Sequence, residues 1–349
     1  MLLAGVALDR QVHEHDQRTQ RVVGYRSEHA VRIASVCFAR VSPTQKAIRY
    51  AVTIEASLPS ELRGATITKI AAGLSGAGVY RVEAPGQAYV LKVSSESLDD
   101  WQRKIAILEG AAAAGVAPRI VHVDAERRAV LSELVVDRSF FGFYAAARDA
   151  ALAELGRTIA RVHAIAPPPG EPRDARDLLR RMATHLQGFA KPGFVDQAVQ
   201  RVLDEMPPAC DRVVLSHNDI NPTNLVYDGS RIVLLDWDTA GPNDPYYDLA
   251  APSVFLRMDD AACSALLAAY DGTRELPDRF RYDRRLVAAM CGAVFLFLAR
   301  QQGHAGNSNA PRTELAEVYQ GFRAGTISAA TAEGQWQFGL ALVTASLAL

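Results

Sequence analysis

The chain has almost no charge imbalance: 38 Lys and Arg stand against 39 Asp and Glu, a formal net charge of −1 over 349 residues. Neither nucleic acid nor a membrane surface is therefore expected as the main partner. Cysteine is scarce, and Cys37, Cys210, Cys263 and Cys291 lie far apart with no CxxC pair. That spacing argues against a disulfide scaffold or a zinc site and suits a reducing compartment. Cys263 and Cys291 sit in apolar helical surroundings and read as small core residues. No run reaches the roughly 18 apolar residues of a membrane span. Met1 to Leu8 is apolar but short and has no basic flank, so a secretory leader is not expected, and a cytoplasmic protein is. The apolar stretch from Phe338 to Leu349 reads as a terminal helix packing on the protein. No internal repeat is visible.

What is present is organised unevenly. Residues 1–60 mix charge, short apolar runs such as Val31 to Ala39, and the histidines His13, His15 and His29. The His13/His15 pair has a metal-binding option, but a solvated N-terminal extension of unclear role is the better reading. From residue 61 the texture changes. Ile67 to Ala71, Val79 to Val82 and Tyr89 to Val93 are β-branched or aromatic runs separated by glycine-rich turns, and read as consecutive antiparallel strands. Leu98 to Ala114 carries Ile105, Leu108 and Ala112 at helical spacing, then Gly115 and Pro118 stop it. Strands follow at Ile120 to Val123 and Ala129 to Val136. Beyond the connector at 133–136 the pattern is helical: 145–165, 175–189, 194–205, 260–271, 283–302 and 312–323. One compact β-signal interrupts it at 213–236. The expected architecture is α+β and bilobal, with a β-rich lobe over 61–135 and a helical lobe over 136–349.

The strongest local pattern is His217-Asn218-Asp219-Ile220-Asn221-Pro222-Thr223-Asn224, with Asp236 twelve residues on. Val213 to Ser216 reads as a strand, and Leu225 to Tyr227 and Ile232 to Leu235 as a hairpin around Asp228-Gly229. Such a hairpin brings Asn224 and Asp236 to one open end, with Asp219 on the loop before it. Two carboxylates and a carboxamide suit phosphoryl transfer, which asks for positioning and charge neutralisation more than covalent help. Magnesium prefers hard oxygen ligands such as Asp236 and Asn224, and Asp219 can accept the proton of an attacking hydroxyl.

These residues resemble the aminoglycoside phosphotransferase and choline kinase superfamily, relatives of the protein kinases. The stretch HNDINPTNLVYDGSRIVLLDWDTAGPNDPYYDLA fits its HxDxxxxN pattern, followed by a strand and a metal-binding aspartate, through His217, Asp219, Asn224 and Asp236. The continuation through Asp238, Gly241, Asp244-Pro245 and Asp248-Leu249-Ala250 also fits, and the resemblance spans about residues 65–325. It implies a kinase-like fold in which ATP (or GTP) and Mg2+ serve a small-molecule hydroxyl acceptor. Asp219 and His217 are the implied catalytic residues, His217 bracing the loop by hydrogen bonding rather than taking a proton. Asn224 and Asp236 are the implied metal ligands, and Asp248 a tie for the loop. Gly73, Ser75, Gly76 and Gly78 would form the phosphate-facing turn, Lys92 the phosphate-pairing lysine, and Ser132, Glu133 and Leu134 the purine-facing hinge. Where the glutamate that usually pairs with this lysine is expected, Lys104 stands, with Glu109 five residues on; the readings left open are an alignment shifted by a turn, Glu96 or Asp100 in its place, or a weakened nucleotide affinity. A nucleotide-binding pseudokinase and an antibiotic kinase are the alternatives. A protein kinase fits less well, since Asn221 stands where its catalytic loop carries lysine. The expected acceptor is an amino alcohol such as choline, with Trp237, Tyr246, Tyr247 and Phe255 as candidates for a cation box, although core under the catalytic loop is the preferred reading of them. Oligomeric state is not legible.

Overall fold

The computed structural model describes residues 54–72 and 78–349. The histidine pair, the run Val31 to Ala39 and the glycine-turn residues Gly73, Ser75 and Gly76 fall outside them.

Five strands form the first sheet: β1 (Thr66–Ala72), β2 (Gly78–Ala84), β3 (Gln87–Val93), β4 (Ile120–Asp124) and β5 (Ala129–Glu133), in the order β1-β2-β3-β5-β4. Between β3 and β4 runs helix α1 (Leu98–Ala113), opened by the Ser97 hydroxyl, which accepts from the Asp100 amide at 3.2 Å. Trp101 and Ile105 of α1 bury against Val130 on one face of the sheet. On the other face Val82, Leu91 and Leu131 close over Leu58, delivered by short turns at Ile54–Ser57 and Ser60–Leu62. Gly115 ends α1 at φ +71°, a conformation glycine adopts without steric cost.

The chain then enters the helical lobe through α2 (Phe140–Ala146) and α3 (Arg148–His163). The helix expected over 145–165 is α3, which starts after a break at Ala147 (φ −147°, ψ 63°), while α2 before that break was not expected. Next come α4 (Ala175–His185) and α5 (Gly193–Asp204). The short strands β6 (Val214–Ser216), β7 (Leu225–Tyr227), β8 (Ile232–Leu234) and β9 (Gly241–Asn243) carry the central loops. The remaining helices are α6 (Pro245–Phe255), α7 (Asp260–Asp271), α8 (Asp278–Gln301), α9 (Leu315–Ala324) and α10 (Ala332–Ala348). Helix α6 was not expected from the sequence; its two prolines disguise it. Pro245 occupies the first turn, where no amide is needed, and the Asp244 carboxylate caps the Tyr246 amide at 2.7 Å. Helices α8 and α10 form the densest crossing. A Cβ added to Gly292 would lie 2.6 Å from Val343 Cγ2, and one on Gly339 2.8 Å from Leu296 Cγ. Among the described residues no helix is long and apolar enough to cross a membrane.

One cluster of an arginine and two aspartates ties α6 to α8. Arg279 Nε lies 2.7 Å from Asp244 Oδ2 and 3.2 Å from Asp283 Oδ2. One guanidinium thus serves two acids. Asp283 is the more deeply buried, and burial pushes its carboxyl up to about 8 against the pull of Arg279, with the Asp244 charge adding to the rise. The folded protein therefore holds a proton on Asp283 that the unfolded chain releases near pH 4. Its contribution to stability is full below that value and is lost as pH rises toward 8. Thermal melts of Asp283→Asn should lack this component, so wild type should lose stability relative to the variant between pH 5 and pH 8. Parallel pH profiles for the two proteins would refute the assignment.

Candidate active site

Strand β6 pairs with β9, Ser216 opposite Gly241, and delivers the loop 217–224 from a buried position. Strands β7 and β8 then form a hairpin in which Leu225 faces Leu234 and Tyr227 faces Ile232. Its turn is made by the Asp228 carboxylate, which accepts from the Ser230 and Arg231 amides at 2.8 and 3.0 Å, and by Gly229 at φ +103°. The Leu235 amide donates to Asn224 O at 2.9 Å. Asn224 and Asp236 therefore flank one end of the hairpin. Asp236 is held at φ +60°, which turns the chain sharply into the short helical turn Trp237–Thr239.

Asp219 sits beside that end with 4% of its surface exposed. Its Oδ1 accepts from Asn221 Nδ2 at 2.8 Å and its Oδ2 from Asn224 Nδ2 at 3.0 Å. Asn221 is oriented in turn, because its Oδ1 accepts from the Thr223 amide (2.9 Å) and hydroxyl (2.7 Å). These bonds fix the plane of the Asp219 carboxylate. They also turn the Asn224 amide nitrogen toward Asp219, so its carbonyl oxygen points the opposite way.

His217 is fully buried and does not act as a base here. Its Nε2–H donates to Leu235 O at 3.0 Å, and its Nδ1 accepts from the Asp219 amide at 3.3 Å. Burial holds the imidazole below its ordinary pKa, against the pull of Asp248 and Asp236. The ring is neutral with both nitrogens engaged. It braces the loop against Leu235, the hydrogen-bonding role expected of it from the sequence.

Asp248, at 0% exposure, ties the loop from α6. Its carboxylate accepts from the His217 and Asn218 amides at 2.7 and 2.8 Å and from His163 Nε2 at 3.2 Å. His163 Nδ1 accepts from the Tyr270 hydroxyl at 2.9 Å. Burial pushes Tyr270 up to about 12, with Arg212 opposing, so the hydroxyl remains a donor. Asn218, at φ +64°, returns its side chain to Thr239 O at 3.1 Å and accepts from Asn243 Nδ2 at 2.7 Å. Asparagine tolerates this backbone region better than most residues.

The small lobe contributes Lys92. Its Nζ lies 2.5 Å from Asp238 Oδ1 and 3.4 Å from Asp236 Oδ1. Burial works against the ammonium charge, but Asp236 and Asp238 outweigh it and hold the pKa above the ordinary lysine value. Lys92 pairs across the sheet with Val79, next to Gly78. A Cβ on Gly78 would meet the Tyr80 ring at 2.7 Å. Lys104 on α1 faces Glu96 at 2.5 Å, and Glu109 is exposed. The helix thus supplies a cation where a carboxylate was to be expected.

At the expected hinge, two backbone amides are engaged within the small lobe. The Glu133 amide donates to Arg119 O (3.0 Å) and the Leu134 amide to Ala88 O (3.1 Å), while the Glu133 carboxylate faces Arg119 at 3.3 Å. Of the two readings of the aromatics, core fits three of the four. Trp237, Tyr247 and Phe255 are buried, and the Trp237 ring stacks edgewise on His217, its Nε1–H donating to Leu234 O at 2.9 Å. They are core beneath the loop. Asn221, His163 and Tyr270 were not marked as site residues by the sequence. Only Asn221, inside the motif, offered a signal.

A divalent metal fits this donor set. Among the described residues no three His, Cys, Asp or Glu side chains gather into a cage. Two carboxylates (Asp236, Asp238) and the Asn224 carbonyl oxygen are hard donors of the kind magnesium takes together with phosphate oxygens.

No curated protein matches this chain at a significant level. Solved structures share its fold. A choline/ethanolamine kinase family protein from Mesorhizobium loti superposes with a TM-score of 0.55 at 19% identity, covering 83% of this chain and 96% of that one. A choline kinase from Streptococcus pneumoniae gives 0.52 at 15% identity, over 70% and 89% of the two chains. A spectinomycin phosphotransferase solved with ADP and spectinomycin gives 0.53 at 13% identity, over 79% and 93%. At such identities the likeness is one of fold, and the kinase-like α+β architecture is thereby established. In sequence, the phosphotransferase enzyme family matches residues 66–285. With the match spanning more than half of the chain, the protein belongs to the phosphotransferase enzyme family.

Proposed function

We propose that this phosphotransferase moves the terminal phosphate of ATP, or GTP, onto a hydroxyl of a small amino alcohol. The observation that carries the proposal is the meeting of Lys92 from the small lobe with Asp236 and Asp238, beside an Asp219 carboxylate held by two carboxamides. In this reading Asp219 accepts the proton of the acceptor hydroxyl while that oxygen attacks the terminal phosphorus and the nucleoside diphosphate leaves. Each carboxylate oxygen can accept a second hydrogen bond beyond its carboxamide contact. Asn221 thus orients the base instead of touching the phosphate, which accounts for a carboxamide where protein kinases use lysine. Lys92 would pair with the nucleotide phosphates. Asp236, Asp238 and the Asn224 carbonyl oxygen would hold magnesium, which neutralises phosphate charge when bound. Asp248 and His217 keep the loop in place throughout.

The amino-alcohol class rests on neighbours named as choline or ethanolamine kinases, since Trp237, Tyr247 and Phe255 are buried and leave no box of four aromatics. A coupled assay with ATP and GTP against choline, ethanolamine, other amino alcohols and spectinomycin tests it, with Asp219→Asn as the blank. Acceptor-dependent turnover only with the antibiotic would move the chain to the antibiotic kinases. Nucleotide binding with no turnover on any acceptor would favour a pseudokinase.

A further inference from the structure

In place of a helix carboxylate, the two acids proposed to bind metal serve as ion-pair partners of Lys92. Its Nζ is 2.5 Å from Asp238 Oδ1 and 3.4 Å from Asp236 Oδ1. On α1, Lys104 is engaged with Glu96 at 2.5 Å, and Glu109 is exposed. The ammonium engages Oδ1 of both acids, and a magnesium ion taking carboxylate oxygens there at about 2.1 Å would set a second cation against it.

We infer that Lys92 is a resident counter-ion that blocks metal entry to Asp236 and Asp238 until a nucleotide's phosphates draw it away. This rests on the metal and nucleotide roles proposed above. The consequence is thermodynamic. A ligand that gives Lys92 a new partner frees the acids, and a metal that takes the acids frees Lys92 for phosphate. The two must therefore bind with positive coupling, equal in both directions. The coupling is strengthened here because α1 offers Lys104 where a carboxylate would otherwise compete for Lys92.

The test is metal binding in the absence of nucleotide, with Mn2+ as probe, read by electron paramagnetic resonance of free Mn2+ and by calorimetry on the full chain. Wild type should bind weakly. Lys92→Met should bind Mn2+ more tightly by about 5- to 150-fold, the usual span of a coupling between sites. Lys92→Arg, which keeps the positive charge, should remain near wild type. Adding Asp236→Asn to Lys92→Met should abolish the gain. Lys92→Gln is measured in parallel, and whichever of the two neutral variants melts cooperatively decides the matter. No gain in either neutral variant, or a gain that survives Asp236→Asn, overturns the inference. Acceptor-dependent turnover by wild type is a separate readout. If transfer occurs and the gain does not, the gate fails and the function stands. If the gain appears and no acceptor is phosphorylated, the function fails and the gate stands.

Discussion

Asp219→Ala is expected to lower turnover by ~10²–10⁴-fold, the range of a positioned general base, with little change in nucleotide affinity. The geometry supports both halves of this expectation. Asp219 is held by Asn221 and Asn224 at 2.8 and 3.0 Å, whereas Lys92, the cation proposed to face the phosphates, contacts Asp236 and Asp238 instead. Removing the carboxylate also strands two buried carboxamide donors, so a modest loss of stability should accompany the kinetic effect. Asp219→Asn keeps the volume and leaves the proton without an acceptor, and should be nearly as slow with a smaller change in melting temperature. Steady-state rates and nucleotide titrations on both variants separate the effects. A variant that keeps near-full turnover would remove Asp219 from the mechanism.

Much of the architecture was legible because its signals are local. Glycine turns between β-branched runs marked β1 to β3, and the hairpin around Asp228-Gly229 placed Asn224 and Asp236 at one end before any long-range contact was known. The helix α6 was hidden because Pro245 and Pro252 read as breakers, although Pro245 sits at a first turn and needs no amide. The break at Ala147 carries no glycine or proline to announce it. Side-chain partners across great sequence distance were the least legible. Lys92 and Asp238 are 146 residues apart, and nothing in either segment points to the other. His163 closes an ordinary helix rich in alanine and arginine, and only the approach of α7 gives it Tyr270. That approach depends on Gly156, where a Cβ would meet Leu266 O at 2.6 Å. The aromatics near the motif showed the opposite difficulty: their composition suited a cation box, but burial decided for core.

Asp248→Ala should be the most destabilising change near the site. The carboxylate has no exposed surface and accepts from two backbone amides and from His163. Alanine would leave all three donors without this acceptor in a dry interior, each at roughly 1–3 kcal/mol. A total of at least about 3 kcal/mol follows, which is a large share of the ~5–15 kcal/mol that holds a typical protein folded. Asp248→Asn should lie between, because a carboxamide offers one acceptor oxygen and turns an N–H toward the remaining donors. The kinetic signature differs from that of Asp219. At temperatures where the variant is folded, turnover should fall because the loop bearing Asp219 and Asn224 loses its anchor, while Asn221 and Thr223 still orient the carboxylate locally. Tyr270→Phe should be milder, since it removes only the outer link to His163 Nδ1 and leaves the Asp248 contacts in place. Thermal melts of the three variants should therefore rank Asp248→Ala lowest and Tyr270→Phe nearest wild type. Melting of Asp248→Ala at the wild-type temperature with turnover intact would mean that the loop is held by other contacts, the His217 bond to Leu235 O foremost among them.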